Sequence, residues 1–151
     1  MRLVLQRVLE SSVTVDGRTV GSIGPGYLIL LCVLKGDTSL QAQWLAEKVV
    51  KLRLFDSPDG KVNDRSLLDC GGEILVVSQF TLAGDIAKGN RPDYTAAAGP
   101  EEAKILYEYF MKKLKEYGLL FAILSPIFSS TATIFLGGAA KLLHPFVITS
   151  F

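Results

Sequence analysis

A single histidine in the whole chain removes several classes of chemistry. Metal centres built from several imidazoles are excluded. A Ser-His-Asp triad would have to recruit His144, which stands beside Pro145 and reads as packed or exposed rather than catalytic. Cysteine is almost as sparse. Cys32 and Cys70 lie within or beside apolar runs, too few and too distant for a zinc site, and read as reduced core thiols rather than a disulfide. There is no Walker-type phosphate loop and no Gly-x-Gly-x-x-Gly after a strand, so Gly24-Pro25-Gly26 and Gly71-Gly72 read as turns. Neither a metal nor a cofactor is expected. Net charge is nearly absent at +1, so no global basic field advertises nucleic acid and any such contact must be local. Charge is nearly missing from one region: between residues 119 and 151 the only charged side chain is Lys141. The first residues mix arginines into an apolar stretch instead of placing them ahead of it. That is not a signal-peptide layout, and the expected location is cytoplasmic, away from membranes.

What is present reads as one domain of 151 residues, large enough to bury a core without disulfides or metal. Residues 1–8 are apolar and β-prone. Residues 12–15 and 18–23 flank Asp16-Gly17, a pair that supplies the positive φ angles of a tight hairpin turn. Residues 27–33 are apolar enough for a strand buried on both faces. Thr38 or Ser39 then caps a predicted helix with Leu45, Val49 and Leu52 along one stripe, ended by the turn cluster at residues 56–60. A strand over residues 73–77 runs into Ser78-Gln79-Phe80-Thr81. After a polar loop, Pro100 with Glu101 and Glu102 starts a second helix, and lysines before Gly118 end it. Its predicted buried stripe is Ile105, Leu106, Tyr109, Phe110 and Leu114.

Ser78-Gln79-Phe80-Thr81 carries the chemistry. A buried strand ending in two hydroxyls, an amide and a ring aims polar groups into a cleft from a rigid base. Asp56, Asp59, Asp64 and Asp69 cluster nearby in sequence, but in turns Asp mostly serves local hydrogen bonds. Without a strong base, the inventory suits a substrate that is already activated, such as an ester. There an oxyanion hole and a positioned water supply most of the acceleration, one donor being worth about 10²–10³ in rate. The backbone N–H groups of Phe80 and Thr81 are the candidate donors. Lys88, Arg91 and Tyr94 flank a glycine-containing loop just beyond, a pattern that suits a phosphate backbone and a terminal base.

Many ordered blocks together resemble the D-aminoacyl-tRNA deacylases. They are Gln6-Arg7-Val8, Ser12 to Gly17, Gly21 with Ile23 to Gly26, Lys35-Gly36-Asp37, Trp44 to Lys48, Leu52-Arg53, Gly60-Lys61 with Asn63, Ser66 to Asp69, Gly71 to Leu82, Lys88-Gly89, Arg91-Pro92 and Ala96-Ala97-Ala98. The resemblance covers residues 1–118, and its Ser-Gln-Phe-Thr strand end is the family signature. It implies a homodimer with the active site at the subunit interface and hydrolysis of the ester between a D-amino acid, or glycine mischarged on tRNA-Ala, and the terminal adenosine of tRNA. On this basis Ser78, Gln79, Phe80 and Thr81 are the catalytic residues, with the Phe80 N–H stabilising the oxyanion and the tRNA 2′-hydroxyl assisting a water. Gln6, Ala96, Ala97, Ala98, Lys88 and Arg91 are implied to bind substrate or tRNA, the alanines shaping the adenosine pocket. The rival from another class is a nucleic-acid-binding module of the same fold that has lost turnover.

Residues 119–151 depart from that family, whose late Gly-Pro turn reaches into the partner's pocket and excludes L-amino acids. Here only Ser125-Pro126 and His144-Pro145 stand in the tail. The segment reads as diverged strands completing the sheet, as the product of a shifted reading frame, or as a membrane-seeking stretch weakened by Pro126 and residues 129–133. The predicted fold is α+β, a largely antiparallel, barrel-like sheet packed with two long helices, in one deacylase domain over residues 1–151.

Overall fold

The computed structural model describes residues 1–119, 121–123, 133–137 and 146–150. The chain begins with strands β1 (Arg2–Val8), β2 (Glu10–Val15), β3 (Arg18–Ile23) and β4 (Gly26–Cys32). Helix α1 (Ser39–Lys51), the short pair β5 (Arg53–Phe55) and β6 (Arg65–Ser66), and helix α2 (Leu67–Cys70) follow. Then come β7 (Glu73–Ser78), helix α3 (Pro100–Glu116), β8 (Phe121–Ile123), β9 (Thr133–Gly137) and β10 (Phe146–Thr149).

Local chemistry accounts for much of this. Asp16 and Gly17 take φ values of 49° and 76°, as the β2–β3 turn requires. Thr38 caps α1 in a capping box with Gln41, and Pro100 occupies the first turn of α3. The cluster at residues 56–60 does not end α1, which stops at Lys51. It forms the loop of the β5–β6 ribbon instead, with Gly60 at φ 86°.

The strands form a five-stranded sheet in the order β10-β1-β4-β7-β8 and a three-stranded sheet β3-β2-β9. The expected barrel is not found: among the described residues these sheets do not close on one another. Nor is the main sheet wholly antiparallel, since β4–β7 and β7–β8 are parallel. The cause is connectivity. α1 lies between β4 and β7, and α3 between β7 and β8; such crossovers return the chain in the same direction. Three short strands from residues 121–149 join these sheets, β10 on β1, β9 on β2 and β8 on β7. Ser125-Pro126, Lys141 and His144-Pro145 lie outside the described residues.

β4 is buried on both faces, as its continuous apolar run predicts. Tyr27, Ile29 and Leu31 meet Leu45, Val49, Phe110 and Leu114 of the helices, while Leu28 faces Val13, Val15 and Ile23 of the smaller sheet. The α3 stripe differs from expectation. Tyr107 and Met111 are buried with Leu106, Phe110 and Leu114, whereas Ile105 is 66% exposed and Tyr109 only half-buried. Tyr107 can point inward because its hydroxyl donates to the Val76 carbonyl at 3.0 Å, which turns the helix by part of a step relative to an apolar-only stripe. Cys32 is a buried free thiol, as expected, but Cys70 is exposed. Among the described residues, no helix is long and apolar enough to cross a membrane.

Candidate active site at the ends of parallel strands

Parallel neighbours β4 and β7 finish at the same edge of the sheet, with Leu31 opposite Ser78. Crevices outside the carboxyl ends of parallel strands are where such sheets hold ligands. Gln79 keeps the ladder for one more step, its N–H donating to the Leu31 carbonyl at 2.7 Å. Among the described residues β8 pairs with β7 as far as Val76, and beyond Ser78 the chain coils into a 3-10 turn, Phe80–Ala83. Inside the turn, Leu82 N–H donates to Gln79 and Gly84 N–H to Thr81, at 3.3 and 3.1 Å.

A second wall comes from the segment before α3. The Lys35 N–H donates to the Ala96 carbonyl and the Ala98 N–H to the Val33 carbonyl, both at 3.0 Å. Between these walls lies a cleft of about 280 Å³ lined by Leu31, Cys32, Ser78, Phe80, Tyr94 and the alanines 97 and 98. Tyr94 meets Phe80 edge-on, ring centroids 5.5 Å apart and planes at 74°. Gly84 makes that contact possible: a Cβ there would come within 3.0 Å of the Tyr94 ring and 3.1 Å of the Thr81 carbonyl.

The expected site residues are placed unevenly. Ser78, Phe80, Ala97 and Ala98 line the cleft. Thr81 is exposed at its rim and accepts a hydrogen bond from the Gln79 amide. Ala96 contributes its backbone to the wall. Lys88 and Arg91 are exposed on a loop closed at its base by reciprocal Asp85–Asp93 backbone bonds of 2.8 Å. The Asp93 carboxyl is held below the usual carboxylate range by hydrogen bonds from the Thr95 N–H and then its hydroxyl. Gln6 is not brought to the cleft within this chain: it pairs with Leu28, four residues along β1 from the Arg2–Cys32 pair, about 13 Å at strand rise.

Two neighbours of the turn were not singled out from sequence. Cys32 donates its Sγ–H to the Phe80 carbonyl at 3.6 Å, and burial pushes its thiol pKa up, against a smaller opposing pull from Arg2. Arg2 itself donates from Nη1 to the Leu82 carbonyl at 2.5 Å. The apolar repetition of β1 and β4 hides both, since only the strand register brings them together. Among the described residues, Cys32 and Tyr94 are the titratable side chains that line the cleft. Among the described residues no three His, Cys, Asp or Glu side chains converge as a metal site.

Among the described residues the crevice is mainly apolar, with the Ser78 hydroxyl, the Cys32 thiol and the Tyr94 phenol as its polar side chains, at the carboxyl ends of two parallel strands where α/β proteins hold small ligands. The sequence model of the D-Tyr-tRNA(Tyr) deacylase family matches residues 4–134. The D-aminoacyl-tRNA deacylase of Geotalea uraniireducens (strain Rf4) is 57% identical over 119 residues, 79% of this chain and 76% of that one. The D-aminoacyl-tRNA deacylase of Heliobacterium modesticaldum (strain ATCC 51547 / Ice1) is 50% identical over 122 residues, 81% of each chain. Among solved structures, a c-Myc DNA unwinding element binding protein superposes with a TM-score of 0.87 at 31% identity over 99% of each chain. A probable eukaryotic D-amino acid tRNA deacylase shares the fold, with a TM-score of 0.77 at 18% identity over 97% of this chain and 98% of that one. The chain belongs to the D-Tyr-tRNA(Tyr) deacylase family, whose members are hydrolases of an ester bond.

Proposed function

We propose that the protein releases D-amino acids, and glycine mischarged on tRNA-Ala, from the 3′-terminal adenosine of tRNA as a translation quality-control step in the cytoplasm. One observation carries the reading: in a chain of this family, Ser78 and Phe80 line a cleft whose described lining residues include no His, Asp, Glu or Lys. An aminoacyl ester needs none. Water attacks the carbonyl carbon, with the neighbouring 2′-hydroxyl of the substrate assisting its proton transfer. The negative charge on the carbonyl oxygen is met by the Phe80 backbone N–H, and the 3′-oxygen leaves with the proton. Thr81 is an unattractive nucleophile because, among the described residues, its hydroxyl meets the Gln79 amide as a donor and no base that would take its proton.

In this reading Ala96, Ala97 and Ala98 shape the adenosine pocket, Lys88 and Arg91 meet acceptor-stem phosphates, and Gln6 belongs to the substrate surface of an assembled homodimer whose sites lie at the subunit interface. The whole of residues 1–151 acts as one domain. A second reading, a nucleic-acid-binding module without turnover, draws on the 31% identity to a protein named for binding a DNA unwinding element.

Incubating purified protein with D-Tyr-tRNA, L-Tyr-tRNA and Gly-tRNA separates the two. Release from the D-aminoacyl and glycyl substrates but not the L-form is expected. Tight binding without release would replace the enzyme by the module, and equal release of D- and L-tyrosine would remove the chirality filter from the proposal. Sequencing the gene across codons 115–125 tests whether the charge-poor tail arises from a shifted frame.

A further inference from the structure

We propose that Arg2 is a positioning residue for hydrolysis, acting by fixing the 3-10 turn that carries Phe80 and Thr81. The inference rests on the reading of that turn as the oxyanion-binding element. Arg2 opens β1 and pairs with Cys32 of β4 on one side and Thr149 of β10 on the other. Met1 and Leu3, its chain neighbours, face the helix-side core at 1% and 0% exposure, so alternation sends the Arg2 side chain to the opposite face. There its guanidinium reaches 80 residues ahead in sequence to the Leu82 carbonyl, 2.5 Å away.

Among the described residues three hydrogen bonds fasten the turn and the residue before it. Gln79 N–H donates to the Leu31 carbonyl, the Cys32 thiol donates to the Phe80 carbonyl at 3.6 Å, and Arg2 donates to the Leu82 carbonyl. The first precedes the turn, and the second is a weak sulfur donor. Among the described residues Arg2 supplies the turn's charge-assisted bond, the kind that is both shorter and about twice as strong as a neutral one. Within Phe80–Ala83 the peptide planes are linked through adjacent turns, so a carbonyl pinned at Leu82 restricts the direction of the N–H groups at Phe80 and Thr81. Oxyanion donors act by being aimed before the charge develops, and a small misplacement costs rate rather than substrate affinity. Arg2 is not among the residues that line the cleft, so its effect passes through the turn.

The test uses the full-length protein with Arg2→Met and Arg2→Lys, assayed for kcat and KM on D-Tyr-tRNA, beside amide hydrogen exchange of residues 80–83. Arg2→Met is expected to lower kcat roughly tenfold with KM within about twofold, and to speed exchange in the turn while strands β4 and β7 stay protected. Arg2→Lys, which retains a charged donor, should recover part of both, as should millimolar guanidinium added to Arg2→Met. Unchanged exchange in the turn, or faster exchange with unchanged kcat, overturns the proposal. So does a kcat loss that merely follows loss of folded protein, seen as exchange rising equally in β4 and β7. Wild-type protein that releases nothing sinks the substrate reading instead, and the exchange measurement still decides whether Arg2 holds the turn.

Discussion

Tyr27 and Tyr107 are both buried against the helix-side core, at 0% and 3% exposure, and differ in what their hydroxyls meet. Tyr107 donates to the Val76 carbonyl at 3.0 Å, whereas the Tyr27 hydroxyl has no hydrogen-bond partner among the described residues. The Tyr27 ring is held by stacking on Phe55, centroids 5.1 Å apart, a contact that phenylalanine would keep. An unsatisfied buried polar group costs about 1–3 kcal/mol, and a made bond contributes about 1 kcal/mol net. Tyr27→Phe should therefore raise the melting temperature by a few degrees, and Tyr107→Phe should lower it by a similar amount. A destabilised Tyr27→Phe would mean that this hydroxyl is satisfied in solution. Burial also pushes both phenols above their ordinary pKa. The sign follows from proton uptake: near and above pH ~10 the unfolded chain releases phenolic protons that the fold retains. Their contribution is intact below that pH and is lost as pH rises through the raised folded values. The double variant should flatten the alkaline limb of the stability curve.

Strand β4 and strand β7 meet most closely at Gly26. A Cβ on that residue would lie 1.9 Å from the Glu73 carbonyl oxygen and 2.7 Å from its backbone nitrogen, with no flexible side chain to give way. Gly26→Ala should push the parallel strands apart at their entry, costing upwards of about 3 kcal/mol, the range of severe backbone and core lesions. Gly24, whose N–H bonds the Glu73 carboxylate, would meet only that side chain at 3.5 Å, so Gly24→Ala should cost far less. Thermal denaturation of the two variants checks the contrast, and equal melting temperatures would contradict the close approach. The same elements mark where sequence reading stops. The Asp16-Gly17 turn, the Thr38 cap, the Pro100 start and the doubly buried β4 were legible, because each depends on residues a few positions apart. The parallel β4–β7 pairing was not, since its register joins residues 47 positions apart across α1. The α3 stripe was misread at Ile105 and Tyr107 because a tyrosine with a buried acceptor can replace an aliphatic residue, and periodicity cannot see the acceptor. At the site, Ser78 to Thr81 announced itself by composition. Arg2 and Cys32 arrive by strand register, and nothing in their local sequence sets them apart.

Taken whole, the molecule is close to neutral, so long-range steering of a polyanion is weak, and under the proposed function attraction to tRNA comes from where unpaired cations stand. Three of the six lysines of the two long helices pair with carboxylates: Lys51 with Glu47, Lys104 with Glu108, Lys113 with Glu116. Lys88 and Arg91 differ. They lie beyond the Phe80–Tyr94 contact, on a loop whose shape is set by backbone bonds at its base, and among the described residues neither is within ion-pairing distance of a carboxylate. Replacing both with alanine changes net charge from +1 to −1, by +1 − 2, and removes two candidate phosphate contacts without touching the core. Each phosphate contact contributes about 0.7–0.9 to the slope of log affinity against log salt, so the double variant should lower that slope by roughly 1.4–1.8. At moderate salt its KM for D-Tyr-tRNA should rise about tenfold, with kcat within about twofold, because the turn and cleft are untouched. Stability should hold as well, since both side chains are exposed. The decisive quantity is the slope. If KM rises but the slope keeps its wild-type value, the loop acts by shape rather than by charge, and the acceptor phosphates must be met elsewhere on the protein.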